Sequence, residues 1–360
     1  MNVTELNGAV LNNVGAPARP PAHGAPLGRA LMREQFADFR VDEIMTVTPE
    51  GEGEHLWLEI EKTDWNTEDV ALWLARQAGI HRLSVGYSGL KDRRAITRQW
   101  FSLHLPGKPD PDLDCPPGVR LLQARRHRRK LNRGTHRANA FQLCLRQVQA
   151  DPAALAERLA LIARLGVPNY FGEQRFGRDD SNWQRGLAWL SGEGEAPRKR
   201  TLRGLWLSAV RSGLFNAVLA ERVRGGCWDR LLDGDLLQPD GSRGLFAAAD
   251  EPGAETRLSA GDVHPTGPLP GAGGMASSGA CQILEQTVLA PWAAVIEGLA
   301  GQGVDAARRA TRLPVSGLDW DSWDDTLHLS FHLPAGAFAT TVLAELLETR
   351  GPERRSRERL

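Results

Sequence analysis

The segment from Gly86 to Leu105, GYSGLKDRRAITRQWFSLHL, contains the residues best suited to do chemistry. It places one carboxylate, Asp92, in a glycine-bounded loop just before a strand pattern, between Lys91 and the pair Arg93 and Arg94. Neighbouring cations favour the ionised carboxylate, which could act as a nucleophile or a base and would lie where phosphates gather. The alternative is an aspartate that only forms a turn and a salt bridge with its neighbours.

A second candidate is the basic run from Arg120 to Arg137, which contains no acidic residue. Such a charge density beside a strand is typical of a surface that follows a nucleic-acid backbone, with an affinity that falls steeply with salt. A solvated charged loop is the alternative. From the loop and the run together, the residues expected to contact an RNA backbone are Arg93, Arg94, Arg125, Arg126, Arg128, Arg129 and Lys130.

Asn139 and Phe141 follow this run and are two positions apart in a strand pattern. Their side chains therefore leave the same face of the strand. An amide beside an aromatic ring is suited to reading and stacking a base that has left its helix. A phenylalanine that only fills the core is the more common role, so the pair alone is weak evidence.

The elements that would position these residues can be predicted from their periodicity. Alternating patterns predict strands over 56–60, 101–105, 141–145 and 327–333, and helical patterns with end signals predict helices over 67–78, 208–224 and 338–349. This mixture predicts an α+β fold, not a regular βαβ repeat.

Composition narrows the class of protein. The 360 residues include 44 basic and 44 acidic side chains, but residues 40–69 hold ten acids against two bases, and residues 91–137 hold 13 bases against four acids. The four cysteines are scattered, which argues against a disulfide framework or a zinc site and fits a cytoplasmic protein. No histidine pair suggests a catalytic metal, and we expect no apolar run to span a membrane.

The pattern breaks in the middle of the chain. Residues 250–275 lack periodicity and predict a 26-residue loop, which is unusual inside a compact domain. We therefore expect a second domain over about 165–312. Residues 1–30 are rich in Ala, Gly and Pro and predict a flexible lead-in, and an Arg-rich tail covers 350–360.

Many ordered blocks of the sequence resemble the bacterial TruD pseudouridine synthases, and together they span about residues 31–349. They are DFRVDEI, GEGEHLWLEIEK, NTEDVALWLAR, GYSGLKDRRAITRQWFSL, HRRKLNRGTHRANAF, GVPNYFGEQRFG, LSAVRSGLFN, DVHPTGPLPG and LPAGAFATTVLAEL. The resemblance implies a pseudouridine synthase catalytic domain over 31–164 plus 313–349, built on a mixed, mainly antiparallel sheet with helices. It also implies an inserted TRUD domain of α+β structure over 165–312.

The resemblance also implies a reaction and its residues. The family converts uridine 13 of tRNA to pseudouridine, and the aspartate of its GxKD block corresponds to Asp92, which would be the catalytic residue. Substrate contacts would fall on Phe39, Asn139, Phe141, Phe338, Arg33 and Lys91, where Arg33 stands at a position that is often Lys in relatives. No cofactor, membrane or obligatory protein partner is implied beside the tRNA. A non-catalytic tRNA-binding or folding factor, and a synthase with a different RNA target, are the alternatives.

Overall fold

A computed structural model describes residues 14–351 and divides them into two compact units. The middle unit comprises the described residues up to Ala25, Arg164–Pro314 and Thr340–Glu345, and the sheet unit comprises Pro26–Ala163, Val315–Ala339 and the described residues from Leu346 onward. The bounds expected for the inserted domain, 165–312, lie within two residues of the corresponding segment. We propose that the sheet unit is the catalytic domain and the middle unit the inserted one.

The elements alternate irregularly between helix and strand along the chain. The strands are β1 Arg29–Met32, β2 Phe39–Met45, β3 His55–Thr63, β4 Val85–Tyr87, β5 Ile96–His104, β6 Val119–His127, β7 His136–Gln149, β8 Val167–Pro168, β9 Leu236–Pro239, β10 Phe246–Ala247, β11 Val263–Leu269, β12 Ala307–Ala310, β13 Arg312–Leu313, β14 Ser316–Trp323, β15 Thr326–Pro334 and β16 Glu348–Arg350. The α-helices are α1 Thr67–Gln77, α2 Pro152–Leu165, α3 Ser181–Leu190, α4 Arg200–Arg224, α5 Ala254–Ala260, α6 Gly279–Leu289, α7 Ala293–Gly301 and α8 Ala339–Leu343. Short 3-10 helices cover Phe36–Asp38, Arg82–Ser84, Glu173–Arg175, Arg178–Asp180, Ala248–Asp250 and Ala290–Trp292.

The sheet unit is built on a ten-stranded sheet whose main path runs β14-β15-β7-β2-β5-β3-β6. Strand β4 pairs with β5. Strand β1 pairs with β7, and β16 pairs with β1. The pairs β2–β5 and β1–β16 are parallel, and the other pairs of this sheet are antiparallel. The predicted α+β class with a mainly antiparallel sheet is confirmed.

One face of this sheet carries both the core and the polar residues of the site. Leu58 pairs with Phe101 across β3 and β5, and helix α1 covers this end of the face with Val70 and Leu74. Because side chains alternate along a strand, the same face continues through residues 39, 41 and 43 of β2 and residues 139 and 141 of β7. Because of this register, the predicted substrate residues Phe39, Asn139 and Phe141 lie on the same face of the sheet as the core that helix α1 covers.

The middle unit has a helical core and two small sheets. Helices α3, α4, α6 and α7 contribute to a cluster that includes the fully buried Trp183, Phe215 and Val295. One sheet has the order β10-β9-β11-β12, and β8 pairs with β13 in the other. The buried pair Arg222–Asp235, with 2.7 Å between Nη1 and Oδ1, stabilises the end of α4.

The expected loop over 250–275 is wrong. This segment contains α5 and β11, and β11 pairs with both β9 and β12. Six consecutive residues of β11 are buried, so the strand shows no polar–apolar alternation. Its two prolines, Pro265 and Pro268, also disguise it, because a proline lacks the N–H that a strand ladder uses.

The helix expected over 338–349 is wrong in its second half. Helix α8 ends at Leu343, and β16 then pairs in parallel with β1. The helix expected over 208–224 is longer, since α4 begins at Arg200. Buried Leu346 and Leu347 gave a helical pattern, but tertiary packing places them just before a strand.

The flexible lead-in over 1–30 is also wrong for the residues that the structure describes. The carbonyl of Val14 accepts a hydrogen bond from Trp183 Nε1 at 2.9 Å, and the amide of Ala22 donates to Glu345 at 3.0 Å. Residues 29–32 form β1. Residues 1–13 lie outside the described residues, as does the predicted tail from 352 to 360, and Arg350 belongs to β16.

Contrary to the sequence expectation, one stretch meets a simple length and composition test for crossing a membrane. It is Gly279–Gly301, of which 28% of the most apolar window is buried. In the structure it consists of α6, a 3-10 turn containing Pro291, and α7, and its Glu285 pairs with Arg308 at 2.5 Å. One such stretch is weak evidence for a membrane span, and we assign Gly279–Gly301 no membrane role.

Candidate active site

Asp92 lies on the loop between β4 and β5, and its carboxylate is accessible. The side chain is 51% exposed, and Oδ2 accepts a hydrogen bond from Arg33 Nη2 at 2.5 Å. A charge-assisted hydrogen bond of this kind is stronger than one between neutral groups. The loop thus presents an accessible carboxylate, and its role as a nucleophile or a base stays a prediction.

Arg33 reaches Asp92 from a strained backbone position. Its φ is +62°, a left-handed value that side chains other than glycine rarely adopt. Its guanidinium carbon lies 3.8 Å from the centroid of the Phe39 ring, and Arg94 Nε donates to the Arg33 carbonyl at 3.0 Å. Arg33 therefore contacts two other predicted site residues. Its guanidinium packs on the Phe39 ring, and its carbonyl accepts a hydrogen bond from Arg94.

Lys62 supports the loop from beneath and was missed in the sequence. Its side chain is fully buried, and Nζ donates to the carbonyls of Asp92 at 2.8 Å and Trp65 at 2.7 Å. Burial lowers its pKa to about 8, against the opposing effect of the Asp92 charge. The signal was present, because Lys62 continues the inward positions 56, 58 and 60 of β3.

Lys91 fixes the other side of the loop. Its Nζ lies 2.6 Å from Glu43 Oε1, and the two side chains are 5% and 0% exposed. Glu43 Oε2 also accepts the amide of Trp100 at 3.0 Å, while the Lys91 amide donates to Thr67 Oγ1 at 2.9 Å. The ammonium of Lys91 is thus enclosed against Glu43, and its predicted contact with substrate stays a prediction.

Gly89 allows the loop to pass over this buried pair. A Cβ at position 89 would lie 3.0 Å from both His136 Cε1 and Lys91 Nζ. Burial, followed by the charge of Lys91, lowers the pKa of His136, so its neutral ring packs beside the ammonium.

We expect Gly89→Ala to lower kcat about tenfold, because the added methyl group displaces the loop by a few tenths of an ångström. Initial rates of the reaction that the sequence resemblance implies, at saturating substrate, measure the effect. Gly204→Ala is the control, since a Cβ there meets nothing within 4 Å. A Gly89→Ala variant with the kcat of the unsubstituted protein would contradict this role of the loop.

Three phenylalanine rings line the sheet beside the loop. Phe39 meets Phe141 edge-on at 6.2 Å between centroids, and Phe141 stacks on Phe331 at 5.4 Å. The structure therefore brings the predicted residues Phe39 and Phe141 together and adds Phe331. Phe331 was visible only as part of a strand pattern, and its pairing with Phe141 across β15 and β7 depends on register.

Asn139 lies on the same face, opposite Glu43 in the β2–β7 pair. It is buried, and its Oδ1 has no hydrogen-bond partner among residues 14–351. A buried polar atom without a partner is unfavourable and is often found at functional sites.

Phe338 is half-buried and follows β15, whose last residue, Pro334, pairs with Ala138. Phe338 therefore follows the end of β15 that pairs with Ala138 and Asn139 of β7.

Part of the predicted RNA-binding surface is engaged within the protein. Arg126 binds Asp110 at 2.6 Å, and Arg128 pairs with Glu50 at 3.3 Å and with Glu52. The acidic and basic stretches of the sequence thus partly neutralise each other.

The remaining basic residues differ in accessibility. Arg125 and Arg129 are exposed on and after the edge strand β6, and Lys130 donates to the Leu83 carbonyl at 2.5 Å. Arg93 binds Asp64 at 2.9 Å. Arg93, Arg94 and Arg128 are exposed but engaged within the protein. Within residues 14–351, Arg125 and Arg129 are the exposed members of the predicted set with no side-chain hydrogen bond or ion pair, and contact of the set with RNA stays a prediction.

The described part of the chain contains no group of three or more His, Cys, Asp or Glu side chains that could hold a metal ion. The groups available at this site are one exposed carboxylate bound by Arg33, a buried lysine that holds the backbone of the same residue, and buried phenylalanine rings beside a buried amide. A carboxylate near aromatic rings and an amide is the set of groups that an enzyme acting on an extruded base would use.

Comparison with known proteins gives the family. The family model for tRNA pseudouridine synthase D (TruD) matches residues 25–196 and 195–346, and the chain belongs to this family. A protein from Ectopseudomonas mendocina named tRNA pseudouridine synthase D is 48% identical over 332 residues, covering 91% of this chain and 94% of its own. One of the same name from Stutzerimonas stutzeri is 48% identical over 335 residues, with 92% and 96% covered.

A solved structure shows the same fold. The crystal structure of a TruD protein from Methanosarcina mazei superposes with a TM-score of 0.71 at 21% identity, covering 93% of this chain and 96% of that one. The resemblance found in the sequence is confirmed, as is the fold class.

Proposed function

We propose that this protein is a tRNA pseudouridine synthase that converts uridine 13 to pseudouridine, with Asp92 as the catalytic carboxylate. Membership of the TruD family across residues 25–346 supports the activity. The observation that carries the assignment of Asp92 is its accessible carboxylate on a loop held by Arg33 and the buried Lys62.

The proposed reaction is an isomerisation that requires no cofactor. The N1–C1′ glycosidic bond breaks, the uracil turns, and a C5–C1′ bond forms. The proton leaves C5 and N1 ends with a proton, so the atoms balance without oxidant, reductant or external energy. A carboxylate can serve by attacking C1′, by attacking C6 of the base, or by removing the 2′ proton of the ribose.

The neighbouring residues would prepare the carboxylate and receive the base. Arg33 donates a hydrogen bond to one oxygen of Asp92 and orients it, leaving the other oxygen for the substrate. The target uridine must leave its stack, at a cost of a few kcal/mol. Asn139, whose Oδ1 lacks a partner, could accept a hydrogen bond from the uracil edge beside Phe141.

The partners follow from this proposal. The substrate is tRNA, which places the protein in the cytoplasm, and the reaction as written needs neither a membrane nor an obligatory protein partner.

We expect the product to form at one position. A tRNA transcript with uridine 13 should gain one pseudouridine, and the same transcript with cytidine 13 should gain none. Chemical mapping of pseudouridine on both transcripts tests this. Modification of both transcripts at another position would keep the chemistry and reject uridine 13 as the target.

A further inference from the structure

Two arginine side chains of the middle unit share one aromatic ring. The guanidinium carbon of Arg309 lies 4.2 Å from the centroid of the Phe171 ring, and that of Arg175 lies 5.3 Å from it. Arg309 belongs to β12, whereas Phe171 and Arg175 belong to the segment after β8. The fold thus brings two cations together from distant parts of the chain.

Both cations have only neutral partners. Arg309 Nη2 donates to Asn169 Oδ1 at 2.5 Å and its Nε to the Asn169 carbonyl at 3.4 Å. Arg175 Nη1 donates to Ser208 Oγ at 3.0 Å. Within residues 14–351, neither side chain forms an ion pair with a carboxylate.

Arginines of the same unit find different partners. Arg312 bonds to His264 and to the Leu258 carbonyl, and Arg211 bonds to backbone carbonyls, but two others are neutralised by carboxylates. Arg222 pairs with Asp235 at 2.7 Å, and Arg308 pairs with Glu285 at 2.5 Å. The difference matters because a partly desolvated charge without a counter-charge is unfavourable, and two like charges close together add to the cost.

The pKa values of both arginines reflect this unfavourable environment. Burial lowers the pKa of Arg175. Burial, together with the nearby charge of Arg175, lowers the pKa of Arg309 to about 10. An anion placed between the two guanidiniums would relieve both effects.

The Phe171 ring, which both arginines contact, is held by hydrogen bonds and packing. The amide of Phe171 donates to Asn216 Oδ1 at 2.9 Å, and Asn216 Nδ2 donates back to the Phe171 carbonyl at 2.9 Å. Phe171 also packs edge-on against Phe215 at 5.6 Å. Both arginine residues are partly exposed. The ring and the cations are thus preorganised.

We propose that Arg175 and Arg309, framed by Phe171, bind a phosphate group of the RNA backbone. Planar guanidinium groups suit phosphate oxygens because they donate two parallel hydrogen bonds. The inference rests on the tRNA function proposed above and extends RNA recognition to the middle unit. A free phosphate ion has the same chemistry, and the experiment separates the two sources.

The test compares tRNA binding by R175Q and the unsubstituted protein. We expect R175Q to bind about tenfold more weakly at ~0.1 M salt, and its plot of log K against log salt to be shallower by about one. Its Tm should not fall, because the charge that is removed has no ionic partner. R175K should regain the salt slope.

The control is R257Q. Arg257 also lies over an aromatic ring, Phe246, at 5.7 Å, but it is paired with Glu251 at 2.8 Å. We expect its tRNA affinity and salt slope to equal those of the unsubstituted protein. Fluorescence anisotropy with one labelled transcript measures all four proteins.

Three results would overturn the inference. R175Q could bind tRNA with unchanged affinity and slope. R175Q and R175K could lose binding and Tm together, which would make Arg175 structural. Inorganic phosphate could raise the Tm of the unsubstituted protein but not that of R175Q, with tRNA binding unchanged, which would make this a small-anion site. Pseudouridine formation by the unsubstituted protein is measured alongside, since its absence would reject the proposed function instead.

Discussion

Replacing Asp92 with Asn should abolish pseudouridine formation while leaving the fold and tRNA binding intact. The amide is isosteric and can still accept a hydrogen bond from Arg33, but it is neither a nucleophile nor a base. We expect kcat to fall by at least about 10³-fold. Because the side chain is 51% exposed, Tm should change little, and the Kd for tRNA should stay within about threefold.

The matched control for this variant is Asp64→Asn. Asp64 is 50% exposed and pairs with Arg93 at 2.9 Å, so it resembles Asp92 in exposure and in having an arginine partner. Its substitution should leave kcat within about twofold of the unsubstituted value. Single-turnover rates and anisotropy measure both variants. Equal loss of activity in both would show that any carboxylate–arginine pair near the loop matters, and Asp92 would lose its assigned role.

Replacing Lys62 with Met should lower kcat without a matching change in KM. Lys62 is fully buried and bonds the backbone carbonyl of Asp92, at 2.8 Å, so we expect it to act by holding the loop in place. Displacement of the loop by about 1 Å would cost about 10²-fold in kcat. Lys108→Met is the control, because Lys108 is exposed. A large rise in KM with an unchanged kcat would contradict a positioning role.

The same variant has a signature in the pH dependence of stability. The pKa of Lys62 is lowered from 10.5 to about 8 in the folded protein, so between these values the unfolded chain binds more protons. The contribution of Lys62 to the free energy of unfolding therefore rises with pH over this window, by up to about 3 kcal/mol, and its full cost is present below pH ~8.

Lys62→Met lacks this contribution. The free energy of unfolding of the unsubstituted protein minus that of the variant should therefore increase between pH 8 and pH 10, because other groups cancel in the difference. Urea unfolding of both proteins at several pH values measures it. A difference that is independent of pH would show that Lys62 titrates normally and is not buried as described.

Local patterns in the sequence were sufficient for several parts of the fold and site. The alternation in residues 56–60 and 141–145 located β3 and β7, and the Gly-bounded Lys-Asp-Arg-Arg segment identified the loop of Asp92. These signals are local, since they depend on strand periodicity and on the chemistry of adjacent residues.

Features that depend on contacts distant in the chain could not be predicted. Strand β11 is buried on both faces and contains two prolines, so it lacks a strand pattern. The pairing of Arg128 with Glu50 and Glu52 requires β3 and β6 to be neighbours, and the stack of Phe141 on Phe331 requires the register of β7 and β15. Lys62 was overlooked for another reason, because a lysine at the end of a strand is usually exposed.

The most direct test of the proposed activity is the release of tritium from tRNA transcripts that carry 5-tritiated uridine. Formation of the C5–C1′ bond must expel the hydrogen from C5. We predict that the unsubstituted protein releases one tritium for each pseudouridine formed. Tight binding of the same tRNA without any release of tritium would contradict the proposal and favour a non-catalytic tRNA-binding factor.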